Sequence, residues 1–328
     1  MGIGAYYGPT EGNAQELLTY AADRGMTFWD CADIYGSSEE ELGKWFASTG
    51  RRKDVFLATK FGARDPEAHS LASISGGPIS KPSYIKRAFA RSLKNLQTDY
   101  VDLYYQHRVD TTVPIEIVLE ALREFVENGK IKWIGLSECS ADTLKRAKAV
   151  KVVGEKVITA QMEFGPFELF VEKRGFAEEA EKLGVGIVAY SPLGRGLVSG
   201  RFRSRADFAQ DDIRLFLPRF SEESFPKNIE LTDKIKAIGE KYGASSSQVS
   251  LAWILAEHST FIPIPGCRTI ERLEDNAKGA ELPLSAEDVK AIRSLVEAAD
   301  VQGERYPPAI LANCEVDSLA LSEWKGEV

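Results

Sequence analysis

The chain has 328 residues, 44% of them hydrophobic and 27% charged, ordinary globular values that leave room for a large buried core. They exclude a wholly disordered or fibrous protein. With 41 basic and 49 acidic residues the net charge is −8, a poor match for nucleic acid or an anionic membrane.

Taken in chain order, the sequence alternates two patterns. Met1 to Ala5 is a candidate for a very short first strand, and a helix follows from about Asn13 to Arg24. Short apolar runs then read as buried strands at Thr27–Trp29, Val55–Ala58, Val101–Tyr105, Ile131–Leu136, Val157–Ala160, Gly186–Tyr190 and Phe261–Ile264. Amphipathic helices lie between them. Ile85, Phe89, Leu93 and Leu96 share one helical face. Ile115, Val118, Leu119, Leu122 and Phe125 share another, with Pro114 at the entry and Gly129 past the end. Ser38 with Glu41 reads as a capping box, and Ser285 with Asp288 as a weaker one. The helix beginning near Thr269 has that residue as its candidate N-cap.

Strands alternating with helices imply parallel pairing through right-handed crossovers. Seven strands after residue 25 are one short of a closed (β/α)8 TIM barrel. The expected fold is therefore that barrel, as a single domain over 1–328, with its N-terminal hairpin and first strand missing or incomplete. Exposed edges on the strands beginning near Thr27 and Phe261 are the consequence. A doubly wound open sheet is the rival, but Gly2-Ile3-Gly4 lacks the rest of its glycine signature.

Cys31, Cys139, Cys267 and Cys314 form no C-x-x-C pair and no zinc-spaced cluster, so no metal is expected. Free thiols point to a reducing compartment. No apolar run reaches the ~18 residues of a membrane span, and the first residues lack a signal-peptide pattern. A cytoplasmic location is the default expectation.

Barrel chemistry sits at the C-terminal ends of the strands. There the sequence places Asp30 with Tyr35 in the following loop, Lys60, Gln106-His107, Ser137-Glu138, Gln161, Tyr190-Ser191, and Gly266-Cys267-Arg268. A lysine ammonium beside a tyrosine favours phenolate and should lower the phenol pKa. Asp30 would hold Lys60 charged. Neutral His107 would orient a carbonyl oxygen, and Tyr35 would protonate that oxygen as it becomes an alkoxide. No side chain donates hydride, so a cofactor must. The plain alternative for each residue is structural: an ion pair in the barrel mouth, a satisfied histidine, a packed tyrosine.

Arg268 and Arg272 flank the start of the last of these helices, where positive charge opposes the macrodipole but suits a bound phosphate. The glycine-bearing loop Ser191-Pro192-Leu193-Gly194-Arg195-Gly196 lets backbone approach a diphosphate. Solvated arginines and an ordinary loop are the alternatives.

In these residues the sequence resembles the aldo-keto reductases. GMTFWDCADIYG at 25–36, LATKFG at 57–62 and DYVDLYYQHR at 99–108 match the family's tyrosine, lysine and histidine segments. GKIKWIGLSE, QMEF, VAYSPLGRG and IPIPGCRTIERLEDN follow in family order. QHRVDTTVPIE and GRGLVSG look most like the branch of pyridoxal reductases and plant perakine reductase. The resemblance implies NADPH-dependent (NADPH/NADP+) reduction of a small-molecule aldehyde or ketone by a tetrad of Asp30, Tyr35, Lys60 and His107. It implies that Ser137 and Gln161 hold the nicotinamide carboxamide and that Tyr190 stacks on its ring. Ser191, Leu193, Gly194 and Arg195 would line the diphosphate. Gly266, Arg268 and Arg272 would face the 2′-phosphate, and Asp275 and Asn276 the adenine. Glu138 stands where many members carry Asn, and Gly266 where many carry Lys.

Tyr6, Tyr7, Trp29 and Arg108 are expected near the substrate mouth, with Arg108 either drawing in an anion or pairing with Asp110. The segment from Arg203 to Pro226 is a candidate lid or a surface loop. The tail from Asp300 either closes the pocket or packs under the barrel. Two other functions stand beside carbonyl reduction: a cofactor-binding regulatory or redox-sensing subunit of the same fold, and a Schiff-base lyase using Lys60, which a protonating Asp30 disfavours.

Overall fold

The computed structural model describes residue 3 and residues 13–67 and 77–327. Seven parallel strands form one sheet in sequential order: β1 (Phe28–Asp30), β2 (Phe56–Phe61), β3 (Val101–Gln106), β4 (Ile131–Ser137), β5 (Val157–Glu163), β6 (Gly186–Tyr190) and β7 (Phe261–Pro263). All seven expected apolar runs are strands. β1 and β7 do not pair with each other among the described residues, so each ends the sheet there. The expected first strand at Met1–Ala5, and Tyr6 and Tyr7 with it, lie outside the described residues except for Ile3.

Helices cross over between the strands: α1 (Ala14–Asp23), α2 (Ser38–Thr49), α3 (Pro82–Asn95), α4 (Ile115–Glu127), α5 (Ala141–Ala149), α6 (Phe176–Lys182), α7 (Ser224–Glu240), α8 (Ser246–Glu257), α9 (Ile270–Glu281) and α10 (Ala286–Glu297). The expected faces of α3 and α4 are buried at Ile85 and Phe89, and at Ile115, Val118, Leu119 and Leu122. Pro114 caps the start of α4, and Gly129 takes the left-handed conformation just past its end. The Ser285 cap on α10 is present. The Ser38–Glu41 capping box is not. α2 starts at Ser38 itself, and that hydroxyl donates to the Tyr35 carbonyl at 2.7 Å instead.

Strand alternation sorts the side chains into two layers. Outward residues meet the helices: Trp29 lies edge-on to Trp45 (centroids 4.8 Å apart), and Tyr104 packs on Phe61 and Phe89. Inward residues form a small cluster of Ala58, Leu103 and Tyr105 with Phe28, Phe56 and Trp133. Gly135 is required there, because a Cβ on it would sit 2.2 Å from the Tyr105 ring. At the N-terminal end of the sheet, buried Asp102 ties β2 to β4 through Arg52, Lys132 and the Leu57 amide. One inward step above the apolar layer, the C-terminal ends of the strands become polar.

Candidate active site

Period-two alternation turns Asp30 and Lys60 to the inside on adjacent strands. Asp30 pairs in register with Ala58, two residues before Lys60. Lys60 is fully buried. Its ammonium donates to the Asp30 carboxylate and, at 2.7 Å, to the Cys31 carbonyl. Gln161 Nε2 donates to the other Asp30 oxygen at 2.8 Å. An uncompensated ammonium at this depth would cost several kcal/mol, so the pair explains why the lysine can be there at all.

Tyr35 sits on the loop between β1 and α2, shaped by bonds from its amide to the Ala32 carbonyl and from Ser38 to its own carbonyl. Asp33 anchors that loop from beneath, accepting from Arg91 at 3.1 Å and from Tyr84 at 3.3 Å. The Lys60 ammonium is 4.9 Å from the Tyr35 ring centre. His107, just past β3, lies edge-on to the same ring at 5.7 Å. Its Nδ1 is buried without a hydrogen-bond partner among the described residues. The four expected tetrad residues are therefore gathered together at the C-terminal ends of β1, β2 and β3.

The electrostatics correct one expectation. Burial, helped by the Asp30 charge, pushes the Tyr35 phenol well above its ordinary range, and the Arg108 charge only partly offsets this. Tyr35 is not acidified; it stays firmly protonated. Burial, reinforced by the Lys60 and Arg108 charges, drives His107 well below its ordinary value, so it is neutral.

Ser137 ends β4, donates to the Gln161 carbonyl at 3.0 Å and accepts from Arg108 at 3.3 Å. Tyr190, half-buried at the end of β6, donates to Glu138 at 2.9 Å. Behind it stands a cluster that the sequence reading did not foresee. Glu138, fully buried, takes both oxygens to Arg305 of the C-terminal tail at 2.7 Å each. Arg305 also reaches Glu315 at 2.8 Å, while Arg195 pairs with Glu163 at 2.9 Å and Arg219 with Glu168. Burial would raise the Glu138 carboxyl, but Arg305, with Arg108 and Tyr190 behind it, holds it below the usual range. Glu315 goes the other way: burial and the Glu138 charge lift it to about 7 against Arg305 and Arg174. The tail's bonds lie on the strand-end side of the sheet, and the expected packing under the barrel is not seen among the described residues. Arg305 and Tyr306 reach the strand ends, and residues from Glu315 onward run across Glu138, Ser140 and Arg146.

The structure moves one expected residue out of its role and shows two others engaged by partners within the protein. Trp29 points away from the cavity into the sheet–helix core, because it is the outward residue of β1. The Arg195 side chain turns inward onto Glu163, so its backbone is what a diphosphate could meet. Asp275 is engaged by Ser245 at 3.0 Å and Gln248 at 2.7 Å at the start of α8. Asn276 beside it is buried. Asp110 accepts from Ser80 and Thr112, so the expected Arg108–Asp110 pair does not form.

The expected phosphate corner is built from suitable parts. Thr269 caps α9 by accepting from the Arg272 amide at 3.2 Å, with Arg268 just before it and exposed Gly266 ahead. Burial alone would raise Asp212; Arg214 and, more weakly, Arg268 hold it low, which brings the 203–226 segment up to this corner. That segment is not a free flap: Phe202, Phe208, Phe220 and Phe225 stack beneath it. Ser191, Gly194, Arg195 and Gly196 all have positive φ, and the Gly194 and Gly196 amides close the turn by donating to the Ser191 and Leu193 carbonyls at 2.8 and 3.0 Å. Leu193 is partly buried against the core. A helix N-terminus with two arginines beside it forms a donor set that fits a dinucleotide phosphate.

Comparisons with known proteins agree with this geometry. The model of the aldo/keto reductase family matches residues 1–297. The aldo-keto reductase str7 of Strobilurus tenacellus is 45% identical over 93% of this chain and 88% of its own. A Schizosaccharomyces pombe protein named aldo-keto reductase yakc [NADP(+)] is 44% identical over 94% and 90%. Among solved structures, the thermostable aldo-keto reductase Tm1743, in complex with the inhibitor epalrestat, superposes with a TM-score of 0.69 at 29% identity, covering 90% of this chain and 92% of that one. The glycerol dehydrogenase AKR11B4 of Gluconobacter oxydans gives 0.76 at 25% identity, covering 91% and 90%.

Proposed function

The chain belongs to the aldo/keto reductase family, and from that premise we propose that it reduces an aldehyde or ketone to the alcohol with NADPH, Tyr35 supplying the proton. The observation that carries the reading is the convergence of Asp30, Tyr35, Lys60 and His107 at adjacent strand ends. The phosphate-binding parts at Thr269, Arg268 and Arg272, and the name of the fission-yeast relative, support NADPH over NADH. Bound NADPH supplies the hydride.

The chain's own residues do the rest. Neutral His107 directs a ring nitrogen at the substrate oxygen and polarises the carbonyl. A neutral imidazole suits this role, since a charged one beside Lys60 and Arg108 would be costly. Tyr35 holds its proton until the oxygen becomes an alkoxide, a base strong enough to take it from even a high-pKa phenol. Lys60, fixed by Asp30, keeps positive charge near the phenolate that is left. Gln161 locks the far Asp30 oxygen and stops that carboxylate from turning toward Tyr35. Ser137 and Gln161 would hold the carboxamide, Tyr190 the ring face, and the turn at 191–196 the diphosphate, with Asn276 by the adenine.

The test follows NADPH oxidation with 4-nitrobenzaldehyde and measures the melting temperature with each cofactor. Turnover, with a larger stabilisation by NADPH than by NADH, is expected. Tight NADPH retention without turnover on any of a panel of aldehydes would contradict the reading and favour a regulatory subunit.

A further inference from the structure

We infer that Arg108 is a substrate anchor and that the preferred substrates are carbonyl compounds carrying a carboxylate. The inference rests on the carbonyl-reductase reading above and adds the substrate class to it. Arg108 directly follows His107 and is largely buried, yet its bonds among the described residues go only to neutral oxygens. One is the His107 carbonyl at 2.7 Å and the other the Ser137 hydroxyl at 3.3 Å, and both are made by Nη1. Nε and Nη2 make no hydrogen bond there, and neither is among the buried polar atoms sealed from solvent. That edge of a guanidinium carries two parallel N–H donors, the spacing that receives the two oxygens of a carboxylate.

No carboxylate is bonded to it among the described residues. Lys60 and Asp30 cancel each other. His107 is neutral, and Asp110 is committed to Ser80 and Thr112. Glu138, whose charge acts on Arg108, has both oxygens on Arg305. Tyr306 donates to the Tyr190 hydroxyl at 3.4 Å. Asp110 keeps its charge but makes no bond to Arg108, so among the described residues the guanidinium has an edge that no carboxylate occupies. The guanidinium charge is close enough to influence the Tyr35 phenol. Water reaches that edge, and a carboxylate that displaced it would form two charge-assisted hydrogen bonds in a partly buried site.

The experiment uses the full chain, NADPH and three matched pairs: 2-, 3- and 4-carboxybenzaldehyde, each against its neutral methyl ester. The ester is the more activated aldehyde, so chemistry alone favours it. The parent is expected to prefer at least one acid over its ester by tenfold or more in kcat/KM, mainly through KM. Arg108→Met is expected to remove that ratio whatever happens to the shared rate, and Arg108→Lys to keep part of it. Ratios below one for all three pairs in the parent, or a preference that survives Arg108→Met, would overturn the inference while leaving carbonyl reduction intact. If neither member of any pair is reduced, the function reading fails, and benzoate binding decides the site separately. A melting-temperature rise with benzoate in the parent, absent in Arg108→Met, upholds the anchor; no rise in the parent refutes it.

Discussion

Two groups of buried charges stand within one barrel mouth and are finished differently. In the tail cluster Glu138, Glu163, Arg195, Arg219 and Arg305 meet opposite charges on every side, and the carboxylates of Glu138 are fully occupied. In the tetrad the Lys60–Asp30 pair is equally closed, but the groups around it are left with open valences: His107 Nδ1 has no partner among the described residues, and the Arg108 edge is bare. Saturated charges hold a shape. Groups with spare donors in a desolvated pocket are poised to meet something else. The first cluster is read as a clamp joining the tail to β4 and β6, and the second as the reaction centre.

Lys60→Met breaks the comparison most severely. It strips the charge that steadies the Tyr35 phenolate and leaves Asp30 buried without its cation. Turnover of 4-nitrobenzaldehyde is expected to fall by roughly 100-fold or more, in the range of general acid–base contributions. A change of less than tenfold in steady-state assays would remove Lys60 from the mechanism.

Arg305→Met should act first on stability. It orphans Glu138, a loss of about 3–5 kcal/mol in unfolding free energy by urea titration. Adding Glu138→Gln should recover part of that loss, because the stranded charge disappears. If the single variant unfolds like the parent, the cluster is no clamp.

Arg268→Ala should weaken NADPH more than NADH, by about tenfold in Kd for the loss of one phosphate contact. Equal weakening of both cofactors, measured by fluorescence titration, would move Arg268 away from the 2′-phosphate.

The smallest effect is an absence of change. The phenol titrates well above 10 and the imidazole well below 6.5, so Tyr35 remains protonated and His107 neutral across pH 7 to 9. kcat for reduction should be level over that range. A fall centred near neutrality would show that one of these groups titrates there after all.

The sequence made the sheet and the tetrad legible because both follow short-range rules. Apolar runs gave the strands, and the residue ending each run gave Asp30, Lys60, His107 and Ser137. Thr269 was readable as a cap for the same reason. Trp29 misled because a strand end shows which residues are near a mouth but not which face they take; one-residue alternation decides that. The roles of Arg195, Asp275 and Glu138 depend on partners at 163, 245 and 305, far away in sequence. Only a single signal hinted at the tail cluster, an acid following Ser137 at a strand end where charge needs a partner. The phenol's high pKa was missed because burial, which the sequence does not display, outweighs a neighbouring ammonium.

The central claim is that Tyr35 delivers the proton. Single-turnover hydride transfer to 4-nitrobenzaldehyde from preloaded NADPH, compared between the parent and Tyr35→Phe, tests it directly. The account predicts a loss of at least 100-fold in the variant with NADPH affinity within about threefold of the parent's. Equal transfer rates in the two proteins, at equal cofactor occupancy, would contradict it.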